Sequence, residues 1–206
     1  MDRAVRKPNR LTGYDYREYG SYFVTICAYN MESIFGEICR DSPCGCPQKY
    51  ENSPVMEYSD LGKIAVECME SMCNYKELKV VKYIVMPNHI HAIIDIEYNG
   101  LADNAVYVAD SRKGCPYTQI VSSTSLSDFV GRYKSIVANR WLKQCKDNNI
   151  FMGQIWQRSF HDHIIRNEKD FQRIWDYIEN NPINWENDCF YPYPPNALKT
   201  FQGDTE

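Results

Sequence analysis

The strongest structural signal in this chain is the segment LKVVKYIVMPNHIHAIIDI, residues 78–96. Its first half, Leu78 to Met86, is an apolar and β-branched run that is typical of a buried strand. The following Met-Pro-Asn-His sequence, residues 86–89, is typical of a turn. We therefore expect His89 to Ile96 to return as a second strand, so that the segment forms a β-hairpin.

The second strand of this hairpin has two different faces, because side chains alternate between the two sides of a strand. The apolar face consists of Ile90, Ala92, Ile94 and Ile96. The opposite face consists of His89, His91, Ile93 and Asp95. We expect helices to cover the apolar face and to leave the histidine face free.

Patterns typical of strands and helices alternate on either side of the hairpin. Strands are expected at Tyr22 to Tyr29, at Ser33 to Ile38 as a short extended piece, and at Ile155 to Ile165. Helices are expected to begin near Ser59 and Asp60, at Ser125 with Asp128 completing its cap, and at Asn167. The order strand, helix, hairpin, helix, strand, helix predicts an α+β sandwich with helices packed on one face of an antiparallel sheet.

Length and composition indicate one globular domain. The chain has 206 residues, of which 44% are apolar and 24% are charged. Residues 39–54 and 98–122 show no sustained period and are expected to be variable loops, and residues 191–206 are expected to form a tail. We therefore assign residues 1–206 to a single domain.

Several classes of protein are disfavoured by the composition. No stretch of about 18 apolar residues occurs, and the N-terminus is basic and polar, so we expect a cytoplasmic protein that neither crosses a membrane nor is secreted. The nine cysteines are then expected to be reduced thiols. The net charge of −4 argues against a protein that coats duplex DNA, but it leaves a local basic groove open.

All four histidines occur in two His-X-His pairs, His89/His91 and His161/His163. Residues two apart in a strand point to the same face, so each pair can offer two imidazoles to one metal ion. The first pair stands at the mouth of the hairpin and favours a ligand site. The second pair stands in the polar context SFHDHIIR and is the weaker candidate.

Tyr177 is distinguished from the other tyrosines by its position in the last expected helix. It lies beside the apolar stripe of that helix, and Asn181 follows one helical turn later. The stripe consists of Phe171, Ile174, Trp175 and Ile178. A tyrosine in this position can expose its phenol at the edge of the sheet, although the pattern alone favours a residue that only packs.

Four blocks of the sequence resemble the REP-associated tyrosine transposases, which are single-tyrosine members of the HUH superfamily. The segment YIVMPNHIHAIID resembles their HUH motif, in which two histidines flank a bulky apolar residue. LSDFVGRYKSIVANR resembles the helix that follows, and IWQRSFHDHIIRNEKDFQRIWDYIENNPINW resembles their C-terminal block with the nucleophile in its Asp-Tyr-Ile element. RLTGYDYREYGSYFVTICAYN and IFGEI are similar to their opening strands. The likeness spans residues from about Arg10 to Phe190.

This resemblance implies a ferredoxin-like fold, with His89 and His91 as metal ligands and Tyr177 as the nucleophile on a C-terminal helix. The implied activity is that of a DNA transposase and endonuclease, which cleaves and rejoins single-stranded DNA near hairpins through a 5′-phosphotyrosine intermediate. Mg²⁺ and Mn²⁺ are the expected ions, because both accept oxygen ligands and Mn²⁺ also suits imidazole. The expected partner is single-stranded DNA with a hairpin, bound by a monomer or a homodimer.

Two histidines leave room for a third protein ligand. Related transposases carry an amide side chain four residues after the tyrosine, which implies Asn181 in this chain. The alternative is that Asn181 only ends the helix, because Pro182 disfavours helical backbone in the preceding residue. Asp95 and His163 are the expected substitutes, or supports behind the ligands. Phosphate contacts are expected from Arg10, Arg17, Arg132, Lys134, Arg158 and Arg166.

Two other functions remain open at this point. One is a protein of the same family that binds a DNA hairpin without cutting it. The other is a zinc metalloenzyme that places both His-X-His pairs around one tetrahedral ion, with the tyrosine irrelevant to bond making.

Overall fold

The computed structural model describes residues 13–39, 54–97, 106–109 and 118–192. The strands in these ranges are β1 (Gly20–Cys27), β2 (Gly36–Cys39), β3 (Val55–Tyr58), β4 (Asn74–Tyr75), β5 (Leu78–Val85), β6 (His89–Ile96), β7 (Val106–Ala109), β8 (Thr118–Val121) and β9 (His161–Ile165). The α-helices are α1 (Asp60–Ser71), α2 (Leu126–Asp147) and α3 (Glu168–Asn180), and short 3-10 turns occur at Tyr29–Met31 and Trp185–Asn187.

The main sheet has five antiparallel strands in the order β4-β5-β6-β1-β9. Strand β6 lies at its centre, hydrogen-bonded to β5 on one side and to β1 on the other. The expected hairpin is therefore confirmed. Without the short strand β4, the chain runs β1, α1, β5, β6, α2, β9, which is the ferredoxin-like order of strands and helices. The expected α+β sandwich is confirmed.

The main core lies between one face of the sheet and the helices α1 and α2. It includes the apolar face of β6 as expected, with Ile90 and Ile94 fully buried. Both helices begin where the sequence predicts. The Ser59 side chain accepts a hydrogen bond from Gly62 N, and Ser125 forms a reciprocal cap with Asp128.

Helix α3 packs on the opposite face of the sheet, over the histidine side of β6. Its apolar residues Ile174 and Ile178 are buried against Ile93 in a second, smaller core. Lys82 of β5 forms an ion pair with Glu179 of α3, which adds a polar anchor to this small apolar contact. The expectation that the histidine face is left free is therefore wrong, because α3 and the chain after it cover this face.

The structure also changes three expected boundaries. The expected loop 98–122 contains a two-stranded ladder of β7 and β8, and β2 pairs with β3 across the expected loop 39–54, of which residues 40–53 lie outside the described ranges. The last strand begins at His161 instead of Ile155, because the preceding residues leave the ladder after one bridge between Trp156 and Ala28. Of the expected tail, residues 193–206 lie outside the described ranges.

Two further findings concern membrane segments and thiols. Among the residues described, no helix is both long enough and apolar enough to span a bilayer. The six cysteines in the described ranges, of the nine in the sequence, all carry free thiols.

Candidate active site

The first His-X-His pair lies at the start of β6, directly after the hairpin turn. The antiparallel register places Cys27 opposite His89 and Thr25 opposite His91. Both imidazoles are buried, with 0% of His89 and 1% of His91 exposed. The pair therefore lies inside the protein, beneath α3 and the C-terminal segment.

The turn residue Asn88 determines which nitrogen of His89 carries the proton. The amide nitrogen of Asn88 donates to the carbonyls of Met31 at 3.1 Å and Phe190 at 2.8 Å, so the amide oxygen faces His89. That oxygen lies 2.8 Å from His89 Nδ1 and accepts a hydrogen bond from its N–H group. Because a neutral imidazole carries one proton, Nε2 of His89 presents a free lone pair. A ligand nitrogen fixed in this way from behind is the usual arrangement at metal sites.

His91 lies between a strand neighbour and the tyrosine of α3. Its Nδ1 is 2.9 Å from Thr25 Oγ1, and its Nε2 is 3.2 Å from the Tyr177 hydroxyl. Burial lowers the pKa of His91 well below its usual range, and the neighbouring His89 adds to this effect. Burial also lowers the pKa of His89 to about 4, against the opposing influence of Asp188. Both imidazoles are therefore neutral near pH 7, which is the form that binds a metal.

Tyr177 projects from α3 toward the histidine pair. Its hydroxyl group donates a hydrogen bond to Asp188 Oδ2 at 2.8 Å, and its ring meets the Phe23 ring edge to face at 6.1 Å. The residue is 37% exposed, so the phenol is reachable from solvent. Burial of the phenol and the hydrogen bond to Asp188 both raise the pKa of Tyr177.

Asn181 follows α3 and ends it, while its side chain points into the site. Its backbone keeps the helical conformation, with φ −59° and ψ −42°, although Pro182 follows. Its amide nitrogen donates to Asp188 Oδ2 at 2.8 Å. The two alternatives drawn from the sequence, a helix end and a residue of the site, are therefore compatible.

Asp188 is the site residue that sequence reasoning missed. It belongs to the segment Trp185–Phe190, here called the C-terminal strap, and it is buried together with Trp185. One nitrogen of each imidazole and one carboxylate oxygen of Asp188 all lie within 4.8 Å of one another. Asp188 lies in no periodic pattern, and no spacing rule connects it with the histidines.

A divalent metal ion fits these residues on two grounds. Two buried atoms, Nε2 of His89 and Oδ1 of Asn181, have no hydrogen-bond partner in the described part of the chain, whereas buried polar atoms are normally paired. In addition, the side chains offer two neutral imidazoles, a carboxylate and an amide oxygen, which are ligand types of Mn²⁺, Mg²⁺ and Zn²⁺ sites.

The other candidates for the third ligand lie elsewhere. His163 Nε2 lies 2.7 Å from Asp170 Oδ2 on the protein surface, and His161 is exposed. Asp95 lies near the opposite end of β6, where its partner across the sheet is Ser21 of β1. The structure therefore does not bring both His-X-His pairs to one point, as the zinc alternative requires.

The expected phosphate-binding residues are divided between the two ends of the sheet. Arg17 pairs with Asp15 before β1, Arg132 lies over the Tyr75 ring, and Arg166 is exposed after β9, all far from His89. Lys134 lies nearer the histidines, but it donates to the carbonyls of Gln157 and Ser159 at 2.8 Å. Arg158, which is exposed, lies at the same end. Arg10 lies outside the described residues.

The geometry has the form expected of the HUH class, a buried His-X-His pair on a central strand that faces a tyrosine on a C-terminal helix. Comparison with known proteins gives two relatives. An uncharacterized protein of Haemophilus influenzae is 33% identical over 189 residues, which cover 90% of this chain and 93% of that protein. A second H. influenzae protein, described as a REP-associated tyrosine transposase, is 26% identical over 117 residues, 54% of this chain and 53% of the relative.

Solved structures with a similar chain path include two transposases. One is a REP-associated tyrosine transposase bound to a REP hairpin, with a TM-score of 0.47, 16% identity, and coverage of 90% of this chain and 74% of that chain. The other is a protein from Deinococcus radiodurans described as a transposase, with a TM-score of 0.40, 15% identity, and coverage of 83% and 95% respectively. No family model matches the sequence. The described relative and the four blocks of the sequence agree on REP-associated tyrosine transposases as the proteins that this chain resembles.

Proposed function

We propose that this protein is a metal-dependent transposase that cleaves and rejoins single-stranded DNA, with Tyr177 as the nucleophile. The observation that carries the proposal is the position of the Tyr177 hydroxyl group, 3.2 Å from His91 Nε2 and 2.8 Å from Asp188 Oδ2. A tyrosine that only packed against the sheet would not need its hydroxyl group beside a buried histidine pair.

His89, His91 and Asn181 are the proposed metal ligands, with Mg²⁺ or Mn²⁺ as the ion. Asn88 and Thr25 hold the two imidazoles from behind, through their Nδ1 atoms. When bound, a divalent ion supplies positive charge beside a nonbridging oxygen of the scissile phosphate, where negative charge develops in the transition state.

The chain's own residues supply the nucleophile and its orientation. The Tyr177 oxygen attacks phosphorus, the bond from phosphorus to the 3′ oxygen breaks, and a 5′-phosphotyrosine and a free 3′-hydroxyl group result. The hydroxyl group already donates to Asp188, which gives the phenolic proton an acceptor. The covalent link preserves the phosphodiester energy, so the reverse attack by a 3′-hydroxyl group rejoins the strand without ATP.

The proposed substrate is single-stranded DNA next to a hairpin. The resemblance of the sequence to REP-associated tyrosine transposases, which one relative is described as, supports this choice. A net charge of −4 argues for a substrate held by few phosphate contacts, and the exposed Arg158, at the histidine end of the sheet, is a candidate for one of them. Aromatic stacking on unpaired bases would then supply part of the binding energy.

The test is to incubate the protein and Mn²⁺ with labelled single-stranded hairpin oligonucleotides, and to look for a protein-DNA adduct that survives denaturation. Tyr177→Phe should abolish adduct and cleavage while DNA binding stays within a few-fold, because only the attacking oxygen is lost. Tyr29→Phe is the matched control, since Tyr29 is also 37% exposed. It should react like the wild type.

Two outcomes would contradict the proposal. If Tyr177→Phe still formed the adduct, another residue would be the nucleophile. If the wild type bound the hairpin tightly with Mn²⁺ present but formed neither adduct nor cleaved product, the protein would be a non-cleaving hairpin binder. Removal of divalent ions with EDTA should stop the reaction and leave a preformed adduct intact.

A further inference from the structure

Asp188 is a buried carboxylate that the proposed ligand set of His89, His91 and Asn181 does not use as a ligand. It is 6% exposed, and it lies on the C-terminal strap directly over the histidine pair. An ionised carboxylate is costly to bury unless it is paired with a cation or coordinates a metal. The question is therefore which cation lies beside it.

No cationic side chain in the described part of the chain fills this role. Within the described residues, no Lys or Arg forms an ion pair with Asp188. In the described residues the hydrogen-bond donors to Asp188 are neutral groups, namely the Tyr177 hydroxyl, the Asn181 amide and the Phe190 backbone N–H, each at 2.8 Å, together with the Cys189 thiol. Neutral donors reduce the cost of burying the charge, but they do not neutralise it.

The carboxylate also retains room for an ion. Its two oxygens together offer about four acceptor positions, and the three donors at 2.8 Å occupy three of them. Two of these donors bind Oδ2 and one binds Oδ1, so a position of Oδ1 is open to an ion or to the neighbouring Cys189 thiol. One carboxylate oxygen of Asp188 lies within 4.8 Å of a nitrogen of each histidine.

We propose that Asp188 is an anionic ligand of the metal centre, contributed by the C-terminal strap. The inference rests on the proposed function, because it concerns the same ion. The ligand set then contains two imidazole nitrogens, the Asn181 amide oxygen and a carboxylate oxygen. A carboxylate shifts the set toward oxygen, which suits Mn²⁺ and Mg²⁺ better than two imidazoles do by themselves.

The packing of the strap explains how it keeps this carboxylate in place. The Phe190 ring lies 4.6 Å from the His89 ring and the Trp185 ring lies 5.8 Å from it, between ring centroids. The Phe190 carbonyl accepts from Asn88, the residue that orients His89. Asp188 therefore lies between Trp185 and Phe190, two residues of the strap that both pack against His89.

The test measures Mn²⁺ binding to the protein without DNA, by electron paramagnetic resonance of free Mn²⁺. The wild type is expected to bind one ion per chain, and Asp188→Asn should raise the Kd at least about 100-fold, beyond the range of about 10- to 100-fold for residues behind the ligands. Glu186→Gln is the matched control, because it removes the same charge from an exposed position in the strap. Its Kd should equal that of the wild type.

A second measurement separates a ligand from a purely structural residue. If Asp188 is a ligand, Mn²⁺ raises the melting temperature of the wild type and not that of Asp188→Asn, since only a folded state that binds the ion is stabilised. In EDTA, Asp188→Asn removes a buried charge but sets its amide NH2 against a donor that the carboxylate accepted from, so its melting temperature without metal serves as the baseline for the Mn²⁺ effect. A variant that lost stability in EDTA but kept the full Mn²⁺ effect would overturn the proposal.

Asp188→Glu covers the case in which the asparagine variant does not fold. It restores the charge on a longer side chain, so its Kd should lie between those of the wild type and Asp188→Asn. Equal weakening by glutamate and asparagine would mean that Asp188 acts only through packing of the strap. If Asp188→Asn bound Mn²⁺ with the Kd of the wild type, Asp188 would not be a ligand. If the wild type itself bound no Mn²⁺, the proposed metal dependence of the protein would be wrong, so the two failures can be told apart.

Discussion

The two His-X-His pairs of this protein share a spacing, a secondary structure and a face of one sheet, yet their surroundings differ. His161 of β9 is the direct partner of Thr25, whose other partner across the sheet is His91 of β6. Strand β6 is central and lies beneath α3 and the strap, whereas β9 is an edge strand. His91 is 1% exposed, while the His163 side chain is 49% exposed.

This difference shows that a common spacing does not make two sites equivalent. The first pair has its Nδ1 atoms held by Asn88 and Thr25, and a buried carboxylate lies close by. In the second pair, His163 contacts Asp170, which also forms an ion pair with Arg173. Spacing places two imidazoles on one face, but a metal site also requires orientation, burial and further ligands.

The largest effect should come from His91→Asn compared with His161→Asn. Asparagine keeps a polar group near the Nδ1 position and removes the Nε2 atom. The variant therefore removes the proposed ligand atom without leaving the large cavity that alanine would leave. We expect Mn²⁺ affinity to fall at least about 100-fold for His91→Asn, more than for residues behind the ligands. Calorimetric titration of both variants provides the measurement.

The His161→Asn control should bind Mn²⁺ like the wild type and form the DNA adduct. An equal loss of Mn²⁺ affinity in His91→Asn and His161→Asn would contradict the assignment of the metal site to the first pair alone. Alanine is less suitable at position 91 than the sequence suggests, because His91 is buried and its truncation leaves a cavity that costs stability.

A smaller effect is expected from Asn181→Ala. If the Oδ1 atom of Asn181 is a ligand, the Mn²⁺ concentration for half-maximal adduct formation should rise tens of fold, and excess Mn²⁺ should partly restore the maximum rate. A titration of adduct formation against Mn²⁺ measures both quantities. An unchanged midpoint would leave Asn181 as the end of α3 and a support for Asp188.

Thr25→Val should weaken the metal site by a still smaller factor. The change removes the partner of His91 Nδ1 with little change in volume. We expect a loss of about 10-fold in metal affinity, at the lower end of the range of about 10- to 100-fold for such partners. Thr124→Val is the matched control, because Thr124 is buried and its hydroxyl oxygen has no partner in the described ranges. The measurement is the Kd of Mn²⁺ for Thr25→Val and for Thr124→Val. Equal Kd values would exclude a role of Thr25 in orienting His91.

The smallest effect is expected from His163→Gln, which removes a surface ion pair with Asp170. Such pairs contribute about 0 to 1 kcal/mol, so chemical denaturation should show a change in the free energy of unfolding within that range. Mn²⁺ affinity should stay unchanged. A marked loss of affinity would show that the second pair supports the metal centre after all.

Much of the fold follows from local patterns in the sequence. The hairpin, the caps at Ser59, Ser125 and Asn167, and the two faces of β6 all depend on neighbouring residues, and all agree with the structure. The expected start of the last strand at Ile155 was wrong, because the residues before His161 pair with β1 through only one isolated bridge, between Trp156 and Ala28. Such pairing depends on a distant segment and cannot be read from the local sequence. The ladder of β7 and β8 likewise lies in a segment that shows no clear period.

The strand period of two was sufficient to identify the histidine pair as a candidate site, whereas the roles of Tyr177 and Asn181, one helical turn apart, were implied by the resemblance to REP-associated tyrosine transposases. The sequence could not show that β6 becomes the central strand, that α3 covers the histidine face, or that Asp188 lies beside Tyr177 and Asn181. Those relations join segments that are distant along the chain and meet only through packing. Burial, which makes the imidazoles neutral and leaves the Asp188 carboxylate in need of a cation, therefore arises from the tertiary structure.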